Sequence, residues 1–176
     1  MALTNGVLGS YSLTNNSLKQ ITLTSCFQTC TLPTKDVEFT VKFQLQAGLQ
    51  CGLVFGLGDD YNNLGILYCD GSGSVVLDIF ESGTTWTQKA KTAIAYSADK
   101  PLVLRRDGTE LACYYNDTLV GAAFPTTNLS AGENTNLSGL KVGLFSTGAE
   151  NSFSAATVFY TGSGGELSIL DRILGA

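Results

Sequence analysis

The densest ligand chemistry in the chain is Asp59-Asp60-Tyr61-Asn62-Asn63, two carboxylates, a phenol and two amides in five consecutive residues. Hard oxygens of this kind suit calcium, which takes about six to eight oxygen ligands, and Asp59 and Asp60 are the acids that would hold it. Asp and Asn also build turns through their own side-chain hydrogen bonds. The run lacks the regular acid spacing of a calcium loop, so it reads first as a polar turn. Trp86 is the sole tryptophan and stands in a polar strand, between Gly83-Thr84-Thr85 and Thr87-Gln88-Lys89. An exposed indole offers a flat face for stacking on a sugar ring. The plainer reading, a half-buried aromatic capping the fold, is the one base rates favour.

Other chemistry is excluded outright. The chain has no histidine, which removes a Ser-His-Asp triad, a Cys-His dyad and imidazole zinc sites. Five cysteines are present, an odd number: Cys26, Cys30, Cys51, Cys69 and Cys113. With no histidine or named cation beside them, none has a partner to activate a thiolate. Cys51, Cys69 and Cys113 lie in apolar patterns and read as small buried hydrophobes. A bridge from Cys26 to Cys30 across a bend is the minor alternative, and only one short spacing exists where a four-cysteine zinc site needs two. Neither a P-loop nor a Gly-x-Gly-x-x-Gly opening a helix occurs; Gly71-Ser72-Gly73 is turn chemistry. The four Asn-x-Ser/Thr sequons, at Asn15, Asn116, Asn128 and Asn136, read as chance in an Asn/Ser/Thr-rich chain.

The net charge is −5 with 10 basic and 15 acidic residues. Such a surface repels a phosphate backbone and an anionic bilayer, so neither nucleic acid nor membrane is expected as a partner. No apolar run reaches the roughly 18 residues of a spanning helix. The first residues, MALTNGVLGSYSLTNN, carry no basic segment followed by an apolar one, so the expectation is synthesis in a cytosol without a signal peptide.

The elements that position these residues are strands. Val37 to Gln46 alternates apolar and polar at every step, a strand with one face on a core. Cys51 to Leu57 sets Cys51, Leu53, Phe55 and Leu57 on one face. Strand-sized apolar segments follow at 64–69, 74–80, 86–90, 102–106, 110–115, 119–124, 140–145 and 153–160, divided by Gly, Asp and Asn turns that include 131–134. No internal segment has a helical period. Residues 1–20 read as an arm or edge strand, 21–161 as the domain, and 162–176 as a Gly-rich link and a docking tail. In that tail Leu167, Ile169, Leu170, Ile173 and Leu174 form an apolar stripe at helical spacing, to be buried on the domain itself, on a sister subunit or on a scaffold.

The order of strands and turns resembles the concanavalin A-like lectin/glucanase group, including its laminin G-like members. The features that carry it are the long strand at Val37, the strand closing on glycine at Cys51–Leu57, the polar loop Asp59–Asn63, and the Trp86 strand. To these add Pro101–Val120, with its Asp107-Gly108 and Asn116-Asp117 turns, and the closing strands at Leu140 and Phe153. The resemblance spans about two thirds of the chain. It implies an all-β, two-sheet antiparallel jelly-roll sandwich. It also implies rim-bound calcium as one option and a glycan site of loop acids, amides and an aromatic, here Asp59, Tyr61, Asn62, Asn63 and Trp86.

Glucanases of this group carry three acids on one strand, and retaining chemistry needs two carboxyls about 5 Å apart. The nearest match is Val76-Leu77-Asp78-Ile79-Phe80-Glu81. Asp78 and Glu81 fall near the second and third acids, but Val76 stands where the nucleophile should be. The expectation is therefore a non-enzymatic module without cofactor. Its leading reading is a virion surface protein, a decoration, fibre or receptor-binding subunit that docks on its own subunits or on a capsid or fibre scaffold. The alternative is a carbohydrate-binding module of a larger extracellular protein, and the third is a glucanase-like hydrolase.

Overall fold

The strict alternation that begins at Val37 becomes the middle of a sheet, because one apolar face must be buried and the other is free to be polar. The computed structural model describes residues 11–14, 17–20, 27–121, 129–148 and 150–160. Within these, the strands are β1 (Tyr11–Thr14), β2 (Ser17–Gln20), β3 (Phe27–Thr31), β4 (Val37–Gln44), β5 (Cys51–Leu57), β6 (Leu64–Cys69) and β7 (Ser74–Glu81). Then come β8 (Thr85–Ala93), β9 (Leu102–Asp107), β10 (Glu110–Tyr115), β11 (Thr118–Leu119), helix α1 (Ala131–Asn136), β12 (Lys141–Ser146) and β13 (Ser152–Tyr160). They form two antiparallel sheets, a seven-stranded one ordered β1-β2-β13-β4-β9-β10-β11 and a six-stranded one ordered β3-β12-β5-β6-β7-β8. Among the described residues no helix is long and apolar enough to cross a membrane.

The main core lies between the sheets. Phe39, Val41, Phe43, Leu104 and Phe153 from one sheet meet Leu53, Phe55, Leu67, Leu77 and Ile79 from the other, all essentially buried. Cys30, Cys51, Cys69 and Cys113 are free thiols inside this core, and burial pushes the Cys30 thiol up to about 11. The ordinary reading of Cys51, Cys69 and Cys113 as small hydrophobes therefore describes where they sit. Cys26 lies outside the described residues, as do the tail positions Leu167, Ile169, Leu170, Ile173 and Leu174.

Three expectations are corrected. Leu57 does not share the core face of Cys51, Leu53 and Phe55, but joins a second apolar cluster with Val54. The pairing with β12 shifts register between Val54 and Leu57, and Gly56 there has φ +63. An extra residue in a strand turns every following side chain to the other face. Next, the strand expected to begin at 119 covers Thr118–Leu119 and does not continue through Val120 and Gly121, while residues 122–124 of that expectation lie outside the described ones. Finally, the turn expected at 131–134 is the first part of helix α1. Periodicity could not reveal a helix this short; its signal is the Ser130-x-x-Glu133 capping box. The Ser130 hydroxyl accepts from the Glu133 backbone N–H at 3.2 Å, and the Glu133 carboxylate accepts from the Ser130 N–H at 2.7 Å.

This helix ties the sheets together at one end. Glu133 receives Lys89 of β8 at 2.9 Å, and Asn136 donates to Glu81 of β7 at 2.7 Å. From the other sheet, buried Arg106 donates to the Leu137 carbonyl at 2.7 Å and to Asn134 at 2.9 Å. Burial alone would raise the Glu133 carboxyl, but the Ser130 N–H and Lys89 outweigh it and hold the group below its usual range. Ser130→Ala is expected to remove about 1 kcal/mol of stability. A urea midpoint identical to that of the parent protein would show that the cap does not hold the helix.

Candidate functional site

Strands β5 and β6 are buried on both faces, which is unusual for a sheet with only one partner sheet. On the face turned away from the core, Val54, Leu57, Leu64, Ile66 and Phe145 form a second apolar cluster, with Phe27, Tyr68 and Phe80 packed against it. The aromatics contact one another across strands. Phe27 and Phe145 have ring centroids 5.7 Å apart, and Tyr68 meets Phe145 edge-on at 5.6 Å. Trp86, paired with Phe80 across β7 and β8, lies on the same face with ring centroids 4.7 Å apart. Its side chain is 54% exposed, backed by Phe80 and open to solvent. Trp86 is thus about half exposed on a sheet face, one side of it resting on Phe80.

Beside Trp86 lies a depression of about 380 Å³. Phe27, Ile66, Tyr68 and Phe145 supply its apolar lining, and Gln50, Asp78 and Thr147 its polar lining. Gln50 and Thr147 hold each other, the Thr147 N–H donating to the Gln50 carbonyl at 3.0 Å and the Gln50 N–H donating to the Thr147 side-chain hydroxyl at 2.8 Å. The Tyr68 hydroxyl donates to Asp78 Oδ2 at 2.8 Å. Burial raises the Asp78 carboxyl above its usual range, only partly offset by the Tyr68 hydrogen bond and the pull of Lys91. Among the described residues no cation forms an ion pair with Asp78, and the Lys91 ammonium sits on Asp70 at 3.3 Å.

The loop between β5 and β6 is placed elsewhere. Asp59 pairs with Lys141, at 2.6 Å, and that contact holds its carboxyl low. The same ammonium lies 5.6 Å from the Tyr61 ring centroid, and Tyr61 has φ +58. Asp60 accepts from the Asn62 backbone N–H and side-chain amide, both at 3.1 Å. Asn63 accepts from the Ser82 N–H at 2.9 Å, and the Asn62 carbonyl accepts from Gly83 N–H at 2.9 Å. The loop is thereby tied to the β7–β8 hairpin just ahead of Trp86, yet Tyr61, Asp59, Asn62 and Asn63 do not line the Trp86 depression. Among the described residues no three of His, Cys, Asp and Glu gather as a metal site.

The two-sheet fold is shared with solved proteins. Carbohydrate-binding module CBM66 from Bacillus subtilis superposes with a TM-score of 0.60 at 16% identity, over 88% of this chain and 91% of that one. Galectin LEC-6 from Caenorhabditis elegans does so with 0.55 at 11% identity, over 83% and 97%. The fold is a two-sheet antiparallel jelly-roll sandwich. A third chain, GH43 BlXynB from Bacillus licheniformis, matches this fold with a TM-score of 0.61 at 15% identity, over 88% of this chain but 35% of its own length. No family model matches the sequence, and no curated protein matches it.

The strand that carries Asp78 and Glu81 is β7. Alternation sends Asp78 outward with Val76 and Phe80, its neighbours two residues away, while Ile79 points into the core. Glu81 is engaged with Asn136 of the helix instead. The outer face of β7 therefore carries one carboxylate between two apolar side chains, where a retaining hydrolase needs a close pair. Tyr68, Phe80, Phe145 and Phe27 were missed as site residues. The one signal in the sequence was that β5 and β6 carry apolar residues on both faces, which calls for a second apolar surface; Phe27, Phe80 and Phe145 come to it from β3, β7 and β12.

A folded-state pKa raised above the unfolded value means that the native protein binds this proton more tightly. Asp78 then contributes most favourably at low pH, and stability is lost as pH rises from the unfolded value of about 3.9 through the higher folded value. Asp78→Asn should remove that slope and leave the urea midpoint at neutral pH unchanged or higher. A lower midpoint would mean that the charged carboxylate stabilises the fold.

Proposed function

We propose that the protein is a non-catalytic carbohydrate-binding module that holds its glycan on the outer face of the six-stranded sheet, against Trp86. The observation that carries this reading is the exposed Trp86 ring, backed by Phe80 and set beside a depression with few polar groups. A sugar ring presents axial C–H groups to an aromatic face and hydroxyls around its edge. Tyr68, Asp78, Gln50 and Thr147 supply hydrogen-bonding groups at that edge. The fold shared with a carbohydrate-binding module and a galectin supports the same reading. A fold by itself does not assign function, so Trp86 and its depression carry the argument.

The single tryptophan makes the test direct. Titration with soluble oligosaccharides should change Trp86 fluorescence saturably, with no release of reducing ends. A folded protein whose fluorescence no oligosaccharide changes, and which yields no calorimetric heat, would end the proposal. Turnover of a glucan abolished by Asp78→Asn would make it an enzyme instead. Assembly through Leu167–Leu174, the structural reading drawn from the sequence, rests on residues outside the described ones; the exposed Trp86 face favours the glycan reading.

A further inference from the structure

We infer that the glycan on this face carries a protonated amine, an oligosaccharide of unacetylated hexosamine units, with its ammonium placed on Asp78. The inference rests on the glycan reading and names its ligand class. Among the described residues Asp78 is the only charged side chain lining the Trp86 depression. Its Oδ2 is taken by the Tyr68 hydroxyl at 2.8 Å, and among the described residues no ion pair neutralises it. Lys91, the nearest candidate, is held on Asp70. A half-buried carboxylate with no direct ion pair, only the more distant pull of Lys91, is an unfavourable thing for a fold to keep. It becomes favourable when a ligand brings the missing charge.

The surroundings select in the same direction. Trp86, Tyr68, Phe27 and Phe145 line the depression, and aromatic faces attract cations. A uronic acid or sulfated sugar would meet Asp78 with like charge and no compensating lysine or arginine in the lining. A neutral or N-acetylated sugar stacks on Trp86 equally well but leaves Asp78 without its charge partner. The depression of about 380 Å³ is large enough to enclose an ammonium-bearing sugar unit, and the indole supplies the ring contact that a bare amine would not use.

Four tetrasaccharides decide the matter: glucosamine, N-acetylglucosamine, glucose and glucuronate oligomers, titrated by calorimetry at a pH where the amine is charged. The glucosamine oligomer should bind about tenfold to a hundredfold tighter than the acetylated one, since a charge-assisted hydrogen bond is the difference between them. Asp78→Asn should erase that preference while weaker stacking on Trp86 survives, and added salt should shrink it. Equal affinity for the acetylated oligomer, tighter binding of the glucuronate oligomer, or an Asp78→Asn protein that keeps the preference would each overturn the inference and leave the glycan reading standing. If none of the four binds the folded protein, while a lysine-containing peptide alone does, the glycan reading falls and the inference falls with it.

Discussion

Trp86→Ala is expected to weaken oligosaccharide binding by roughly 30- to 150-fold, equivalent to about 2 to 3 kcal/mol, without unfolding the protein. The size follows from what the indole does on this face. Its exposed half is the largest flat apolar surface on the outer face of the sheet, and a stacked sugar would bury it. The fold loses little, because Trp86 sits on β8 at the sheet edge and touches the cluster through Phe80. Calorimetry is the right measurement, since the variant has no tryptophan left to report. Trp86→Phe should restore part of the affinity. A Trp86→Ala protein that binds as tightly as the parent would place the glycan elsewhere, even if binding itself is confirmed.

Gly52→Ala should be among the most damaging single methyl additions at the described glycines, with a loss of about 3 kcal/mol. A Cβ at position 52 would lie 2.1 Å from the Leu67 carbonyl oxygen and 2.6 Å from the Tyr68 Cα. Both are backbone atoms of β6, so no rotamer relieves the clash and the strands must part. Since β5 runs between β12 and β6, the strain enters the middle of the six-stranded sheet. It also displaces Tyr68, the donor to Asp78. The urea midpoint should fall steeply, and any protein that still folds should bind glycan poorly. Gly132→Ala is the matched control, because only the Ser130 hydroxyl oxygen lies near, at 4.0 Å. In a helix that change should be neutral or stabilising by about 0.5–1 kcal/mol. If both variants unfold at the same urea concentration, the close approach of β5 to β6 is not what limits position 52.

The strands themselves were legible because alternation with period 2 survives wherever one face is wet. The span Val37–Gln44 keeps it almost perfectly, and the strand comes out within two residues of the expected end. Legibility failed where that contrast disappears. All seven residues of β5 are buried, so the pattern could not tell the core face from the outer one, and the bulge at Gly56 moved Leu57 across unseen. Helix α1 escaped because six residues are too few to show a period. The Asp59–Asn63 run looked like a binding loop by composition. In the structure its polar atoms are largely used on Lys141, on one another and on the β7–β8 hairpin.

By itself, then, the sequence determined an all-β sandwich, its apolar strands, its lack of imidazole chemistry and Trp86 as the aromatic to watch. Only the tertiary structure decided which groups share a surface with that tryptophan. Phe27 and Phe145 stand far apart in the chain and meet because β3 pairs with β12. Asp78 meets Tyr68 because β6 and β7 place both on the outer face. Pairings of this kind are set by the hydrogen-bonded order of strands and by burial of a common face. Both are properties of the assembled sheets, and no local spacing encodes them.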